Sequence, residues 1–213
     1  MNRRDFIAAS LAAAAAVGLD GTNAFDDTAT AAEAKKSMKI LVLTGSPRKN
    51  GNSAALAAQF IKGAEESGHT VTRFDAAFKN VHPCTACNSC GMDGPCVFQD
   101  DFQFVREHII PADMVAFATP MYYFGLSSQL KAVIDRFYAI NGSIHVAKKA
   151  VLLMTYANTS AREASPILTH YDVLLEYMGW TDAGRVIAPG VWPAGAVNGT
   201  EYPRQAYELG RKL

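Results

Sequence analysis

The sequence predicts an α/β fold with one doubly wound sheet of five parallel strands and helices on both faces; the order 2-1-3-4-5 fits, and other doubly wound orders stay open. Three observations point there. Short apolar runs alternate with longer amphipathic runs from Met38 to the end of the chain. The first apolar run, Lys39 to Leu43, passes directly into a polar turn bearing Gly45 and Gly51, and then into a helix. Once an N-terminal segment is set aside, about 180 residues remain, which suits one domain with one sizeable core.

The strands and helices follow in order. Lys39–Leu43 reads as a buried strand. Ser53 to Ser67 has Leu56, Phe60, Ile61 and Ala64 near helical spacing, and Gly68 stops it. His69 to Phe74 alternates as a second strand. Residues 76–99 are irregular and contain all four cysteines. Asp100 or Asp101 can cap a helix to Ile110, which Pro111 ends. Met114–Ala118 is a third strand, Ser127–Ala139 a helix, Ala150–Met154 a fourth strand and Ser165–Met178 another helix. Arg185–Ala188 supplies the fifth strand and Glu201–Leu213 a closing helix.

Composition narrows the function. The chain of 213 residues is 49 % hydrophobic and 19 % charged, too apolar for a disordered protein. Its 20 basic and 20 acidic residues cancel. That balance offers no basic face for nucleic acid and disfavours an acidic shuttle that docks by charge.

The N-terminus carries Arg3 and Arg4, followed by an alanine-rich run from Ala8 to Leu19. This reads as a twin-arginine export signal, with small-residue cleavage sites after Ala24 or Ala31. The run is too short and soft for a stable membrane span, which needs about 20 strongly apolar residues; the competing reading is an uncleaved anchor. Residues 1–31 are then the signal and the start of a linker, 32–37 the rest of the linker, and 38–213 the folded domain. A periplasmic or otherwise exported location follows. Cargo of this route generally folds before crossing the membrane, which favours a tightly held cofactor.

The turn Thr44-Gly45-Ser46-Pro47-Arg48-Lys49-Asn50-Gly51-Asn52-Ser53 lies where doubly wound sheets bind ligands, beyond a strand's carboxyl end and at a helix N-terminus. Unpaired backbone N–H groups there favour an anion. Ser46, Asn52 and Ser53 can add side-chain donors, and Arg48 a cation. A nucleoside-triphosphate loop would need G-x-x-x-x-G-K-[ST], but Gly45 and Gly51 are one residue too far apart and Asn52 replaces the lysine. The dinucleotide fingerprint G-x-G-x-x-G is absent as well. A single phosphomonoester fits best; the bland alternative is a loop that only caps the helix.

Thr119 to Gly125 follows the third strand at the same sheet edge. Pro120, Met121, Tyr122, Tyr123 and Phe124 offer a flat apolar wall, or plain core packing. The cysteines read C-x2-C-x2-C-x5-C at Cys84, Cys87, Cys90 and Cys96. Such spacing lets thiolates hold an iron–sulfur cluster and differs from the paired C-x2-C motifs of a zinc ribbon. Two disulfides or simple free thiols stay open as alternatives.

Several of these motifs, in this order, resemble the flavodoxin-like superfamily of NADPH-dependent FMN reductases and iron–sulfur flavoproteins. The matching residues are Gly45-Ser46-Pro47-Arg48 with Asn52-Ser53, the Asp100-Asp101 pair, Thr119 to Gly125, Ser128-Gln129-Leu130-Lys131, and Asp135-Arg136-Phe137. The resemblance covers residues 38–158. It implies FMN, with its phosphate on Ser46, Arg48, Asn52 and Ser53 and its ring on Pro120, Met121, Tyr122, Tyr123, Phe124 and Gly125. Thr155 and Tyr156, after the fourth strand, would form a third contact, although the glycine-rich stretch common in relatives is missing there.

The resemblance further implies NADPH or NADH as electron source and a quinone, flavin or similar small molecule as acceptor. No side-chain acid or base is implied as catalytic, and a [4Fe–4S] cluster on the cysteines becomes an expectation. A homodimer is also implied, with Tyr138, Trp180 or Trp192 as interface candidates. Export raises a difficulty, because nicotinamide nucleotides are scarce outside the inner membrane; a different donor, or action before export, would resolve it. A partner-dependent electron carrier and a flavin-free module with a zinc or disulfide loop remain the alternatives. An absorption spectrum of anaerobically purified protein separates these readings. Oxidised-flavin bands are expected, with a broad added shoulder where a cluster is present; a colourless protein would favour the flavin-free module.

Overall fold

A computed structural model describes residues 36–213. The expected export signal and most of its linker lie outside the described residues. The elements run β1 (Lys39–Thr44), α1 (Asn52–Glu66), β2 (Thr70–Asp75), α2 (Phe102–Ile109), β3 (Met114–Tyr122), β4 (Gly125–Leu126), α3 (Ser128–Asp135), α4 (Asn141–Ile144), β5 (Lys149–Thr155), α5 (Ala161–Met178), β6 (Thr181–Ala188) and α6 (Tyr202–Lys212). Five parallel strands lie in the order β2-β1-β3-β5-β6, which is the 2-1-3-4-5 order expected. The fold is flavodoxin-like.

The alternation of side chains along each inner strand builds two cores. Leu41 and Leu43 of β1, Val115 and Phe117 of β3, and Leu152 and Met154 of β5 face α2, α3 and α5. Ile40 and Val42, Met114 and Ala116, and Val151 and Leu153 face α1 and α6. Both faces of the inner strands are buried, so these runs are apolar throughout. Leu56 and Phe60 anchor α1 to its face with no exposed area, each worth about 1.5–3 kcal/mol of burial.

The structure departs from the sequence reading at identifiable places. β3 continues four residues past Ala118, so Pro120, Met121 and Tyr122 are strand rather than loop. Beyond Ala118 β3 has no β1 partner, and a residue without an N–H is tolerated on that open flank. The short β4 then folds back antiparallel, which the sequence reading did not include. The helix expected from Ser127 to Ala139 stops at Asp135 and tightens into a 3₁₀ turn over Arg136–Ile140. Tertiary contacts to Arg136 override helix propensity there. α5 begins at Ala161 rather than Ser165, although Pro166 lies inside it. Pro166 cannot donate to the Arg162 carbonyl, and the Ser165 hydroxyl donates to it instead, at 2.7 Å. β6 is longer than expected, running from Thr181. At the start of α2 the Asp100 carboxylate accepts the Phe102 N–H at 3.0 Å, while Asp101 accepts the Asn80 N–H at 2.7 Å. Among the described residues, no helix is long and apolar enough to cross a membrane.

α1 and α6 cross at two glycines. A Cβ on Gly63 would strike the Tyr207 carbonyl, and one on Gly210 would strike the Phe60 carbonyl and sit 2.8 Å from the Ala64 nitrogen. These neighbours are backbone and cannot swing aside. Gly210→Ala is therefore expected to lower stability by about 1–3 kcal/mol, read as a fall in Tm; unchanged melting would show that the helices separate freely.

Candidate functional site

β1 delivers the chain to the carboxyl edge of the sheet, and the turn after it is held tight. The Gly45 N–H donates to the Ala118 carbonyl at 2.9 Å. Ser46 is buried, and its Oγ accepts the Arg48 N–H at 3.2 Å, closing a local turn. A Cβ on Gly51 would fall 2.6 Å from Ser46 Oγ and 3.0 Å from the Arg48 carbonyl, so this corner needs glycine. Gly51 also stands at the helix N-cap, where no side chain caps the helix. The first amides of α1 are thus left without an intrahelical or side-chain acceptor. Ser53, only 1 % exposed, adds a hydroxyl with no hydrogen-bond partner. Leaving such a group buried and unpaired costs about 1–3 kcal/mol. The helix has no acidic residue in its first turn to occupy these donors.

These groups open into a cavity of 290 Å³ lined by Ser46, Arg48, Gly51, Asn52 and Ser53 on one side. Pro120, Met121, Tyr122, Tyr123, Thr155, Tyr156 and Ala157 form its walls, and Val191 and Trp192 its rim. The volume sits near the lower end of the roughly 300–1,000 Å³ common for small-molecule sites. Loops after β1, β3, β5 and β6 therefore meet at one place, as the doubly wound topology dictates. Thr155 and Tyr156 are buried; burial, reinforced by the Tyr202 and Glu163 charges, pushes the Tyr156 phenol up.

Three expectations change. Asn52 does not offer its side chain to the cavity. Its Nδ2 donates to the Val191 and Pro193 carbonyls at 2.9 and 2.8 Å, and its Oδ1 accepts the Val197 N–H at 3.2 Å. Its side-chain donors are spent on pinning residues 191–197, which leaves only its backbone amide for the site. Phe124 and Gly125 do not line the cavity. Tyr123 and Phe124 form the two-residue turn between β3 and β4, with φ of 45° and 63°. That turn type favours Asn-Gly, and bulky residues held there cost about 1–3 kcal/mol each. Trp180, an interface candidate, is buried and donates to the Ile144 carbonyl at 2.9 Å.

Sequence reasoning missed Ala157 and Val191 and did not assign Trp192 to the cavity. The signal was available, because the segment after β6 also leaves the carboxyl edge of the sheet. Arg48 Nη1 donates to the Trp192 carbonyl at 3.3 Å, joining the first loop to the last.

The cysteines form a second centre. Cys84, Cys87, Cys90 and Cys96 are free thiols that line one small cavity with Arg136 and Tyr138. Hydrogen bonds from the Ser89 hydroxyl and backbone hold the Cys87 thiol below its ordinary range. Ala86, Asn88, Gly91 and Met92 all have positive φ, an unusual density of left-handed residues. No group of three or more His, Cys, Asp or Glu among the described residues is placed to hold a metal ion. A single ion needs its sulfurs about 2.3 Å from one point, whereas a four-iron cluster spreads its ligands over four corners. Four thiols around one small cavity match a four-iron cluster in the number and kind of donors, not in the placement this structure gives them.

Asp100 is the acid behind this loop. Burial alone would raise its carboxyl, but hydrogen bonds from Arg136 and from the His82 and Phe102 amides hold it below the usual range.

A doubly wound sheet with an unpaired anion cradle and an apolar cleft at its carboxyl edge defines a flavodoxin-like, flavin-binding protein. The profile of the NADPH-dependent FMN reductase family matches residues 38–189. An iron–sulfur flavoprotein of Archaeoglobus fulgidus is 30 % identical over 178 residues, covering 83 % of this chain and 79 % of that one. Another, from Methanocaldococcus jannaschii, is 33 % identical over 99 residues, 46 % of this chain and 51 % of that protein, so this match spans about half of the relative. Among solved structures, an NAD(P)H:quinone oxidoreductase from Methanothermobacter marburgensis aligns with a TM-score of 0.67 at 21 % identity, over 84 % of this chain and 96 % of that one. That likeness concerns the fold. The chain belongs to the NADPH-dependent FMN reductase family. It is an oxidoreductase with FMN as cofactor and a reduced nicotinamide as co-substrate.

The residues present fit FMN, since an orphaned buried hydroxyl and uncapped helix amides need a phosphate oxygen as acceptor. Ser53→Ala is expected to leave the folded apoprotein at least as stable as the parent, by up to about 1–3 kcal/mol more, because it removes an unpaired buried hydroxyl. FMN affinity should fall by roughly 1.5–3 kcal/mol, about 10- to 100-fold. Calorimetry on the apoprotein reads both quantities, and unchanged affinity would remove Ser53 from the phosphate site.

Proposed function

We propose that the protein passes electrons from a reduced nicotinamide to a small planar acceptor, a quinone or a free flavin, at the cleft between the β1, β3, β5 and β6 loops. One observation carries this reading: Ser53, whose buried hydroxyl has no hydrogen-bond partner among the described residues, lines the same cleft as Met121, Tyr122 and Tyr156. Bound FMN would supply hydride and electron transfer there. The first amides of α1, with Ser53 and Arg48, bind the phosphomonoester end. Pro120, Met121 and Tyr122 would support the ring, and the backbone N–H groups after Pro120 would be available as donors to it. Thr155 and Tyr156 close the inner wall against water. Tyr123 and Trp192, 99 % and 69 % exposed, stand at the mouth, where a flat acceptor is stacked and oriented. No side chain in the cleft is assigned an acid–base step.

Cys84, Cys87, Cys90 and Cys96 would hold a [4Fe–4S] cluster, which would supply single-electron transfer. The shared cavity and the left-handed loop support this reading, as does the name of the Archaeoglobus relative. It favours, as a second reading, an electron-transfer protein that discharges to a redox partner instead of a small molecule. We also propose export by the twin-arginine route, on Arg3 and Arg4, and self-association, on the exposed aromatic residues at the cleft mouth.

Stopped-flow mixing of the purified holoprotein with NADPH and NADH tests the donor. Flavin bleaching with at least one is expected, followed by reoxidation on adding a quinone. No bleaching with either overturns the nicotinamide step. Bleaching without turnover on quinones or flavins overturns the small-acceptor reading in favour of the partner-dependent one.

A further inference from the structure

The cysteine loop is held by its surroundings, not by the core. Between Ala76 and Phe102 no residue joins either buried hydrophobic cluster; only Val81 packs partly against one. Polar anchors take the place of burial, and most come from residues 136–143. Asp93 Oδ1 accepts the Ser143 N–H and hydroxyl at 3.0 and 2.8 Å. The Asn141 N–H donates to the Met92 carbonyl at 2.8 Å, and the Tyr138 hydroxyl to Asn88 Oδ1 at 2.8 Å.

Arg136 is the centre of this platform. It is 1 % exposed, the largest fully buried side chain in the described residues. Its Nη1 donates to the His82 carbonyl at 2.9 Å and to Asp100 Oδ2 at 2.8 Å, and its Nη2 donates to the Phe98 carbonyl at 3.3 Å. His82 lies two residues before Cys84 and Phe98 two after Cys96. One guanidinium therefore clamps both ends of the loop that carries the four thiols. Flat groups are layered around it: His82 stacks on Phe98 at 3.9 Å, and the guanidinium lies 5.4 Å from the Phe98 ring centre and 4.8 Å from that of Phe102.

Burying an ion pair seldom gains stability over apolar residues of the same size. Here the cation also lines the thiol cavity, and Asp100 does not. A fixed positive charge beside a group that becomes more negative on reduction favours the reduced state.

We infer that Arg136 is the positioning residue of the cysteine centre: it closes the loop into a four-thiolate site and raises the reduction potential of the cluster held there. The inference rests on the cluster reading proposed above. Lysine cannot replace it, because an ammonium lacks the planar fork that reaches two carbonyls and a carboxylate together.

The full chain, purified anaerobically and reconstituted with ferrous iron and sulfide, tests this. Iron and sulfide are counted per bound FMN, so that flavin reports the folded fraction. The midpoint potential is read by EPR-monitored titration. Arg136→Lys is expected to keep FMN and to hold iron about 10- to 100-fold less tightly in a chelator challenge. Arg136→Gln should also shift the cluster to a more negative potential, opposite in sign to the rise that greater solvent exposure from a loosened loop would give. The double variant Arg136→Met with Asp100→Asn removes both buried charges and should show the same negative shift if the single variant fails to fold. Variants that keep FMN, load iron like the parent and show its potential overturn the role of Arg136. Loss of FMN together with iron in all three also overturns it, since Arg136 would then support the whole domain. A parent protein that takes up FMN but no iron overturns the cluster reading itself, and this inference with it.

Discussion

An unsatisfied set of hydrogen-bond donors organises the molecule. The α1 N-terminus, uncapped at Gly51, and the buried Ser53 hydroxyl lie where β1 leaves the sheet, and none of the described residues accepts from that hydroxyl. A buried donor without an acceptor costs free energy, and the chain accepts that cost beside a cleft. The remaining loops are arranged about this cradle. Asn52 spends its side chain on holding residues 191–197 in place, and Arg48 reaches the Trp192 carbonyl. The phosphate loop and the last loop are therefore one structure, although they are far apart in sequence.

The sheet supplies the rigidity that such a site requires. Inner strands buried on both faces fix the carboxyl edge, and the cleft is built from what leaves that edge. The strained Tyr123–Phe124 turn has the opposite character. Its residues take a left-handed conformation without burial to compensate, which places the Tyr123 side chain at the cleft mouth at a cost in stability. The cysteine loop, leaving the carboxyl end of β2, follows the same pattern of local strain held by outside anchors. Both segments are where function is assigned, as the general association of backbone strain with active sites leads one to expect.

The fold class, the first loop and the family were legible in the sequence because each rests on local patterning: short continuous apolar runs, glycines at a strand end, and motifs in a fixed order. Element ends were less legible. The sequence reading starts this helix at Ser165, beside Pro166, whereas α5 begins at Ala161 with the Ser165 hydroxyl donating to the Arg162 carbonyl that Pro166 cannot reach. Asn52 reads as a ligand donor by type, but its long-range partners more than 130 residues away take its donors. The role of Arg136 depends on three groups brought together by folding, and no local pattern encodes them.

The central claim is that a phosphomonoester fills the cradle between Ser46 and Ser53. Calorimetric titration of the apoprotein with FMN and, separately, with riboflavin tests it most directly, because the two ligands share the ring and differ only in the phosphate. The account predicts tight FMN binding and riboflavin binding weaker by at least about 1.5–3 kcal/mol, the worth of one charge-assisted hydrogen bond. Equal affinities, or a natively folded apoprotein that binds neither, would contradict it.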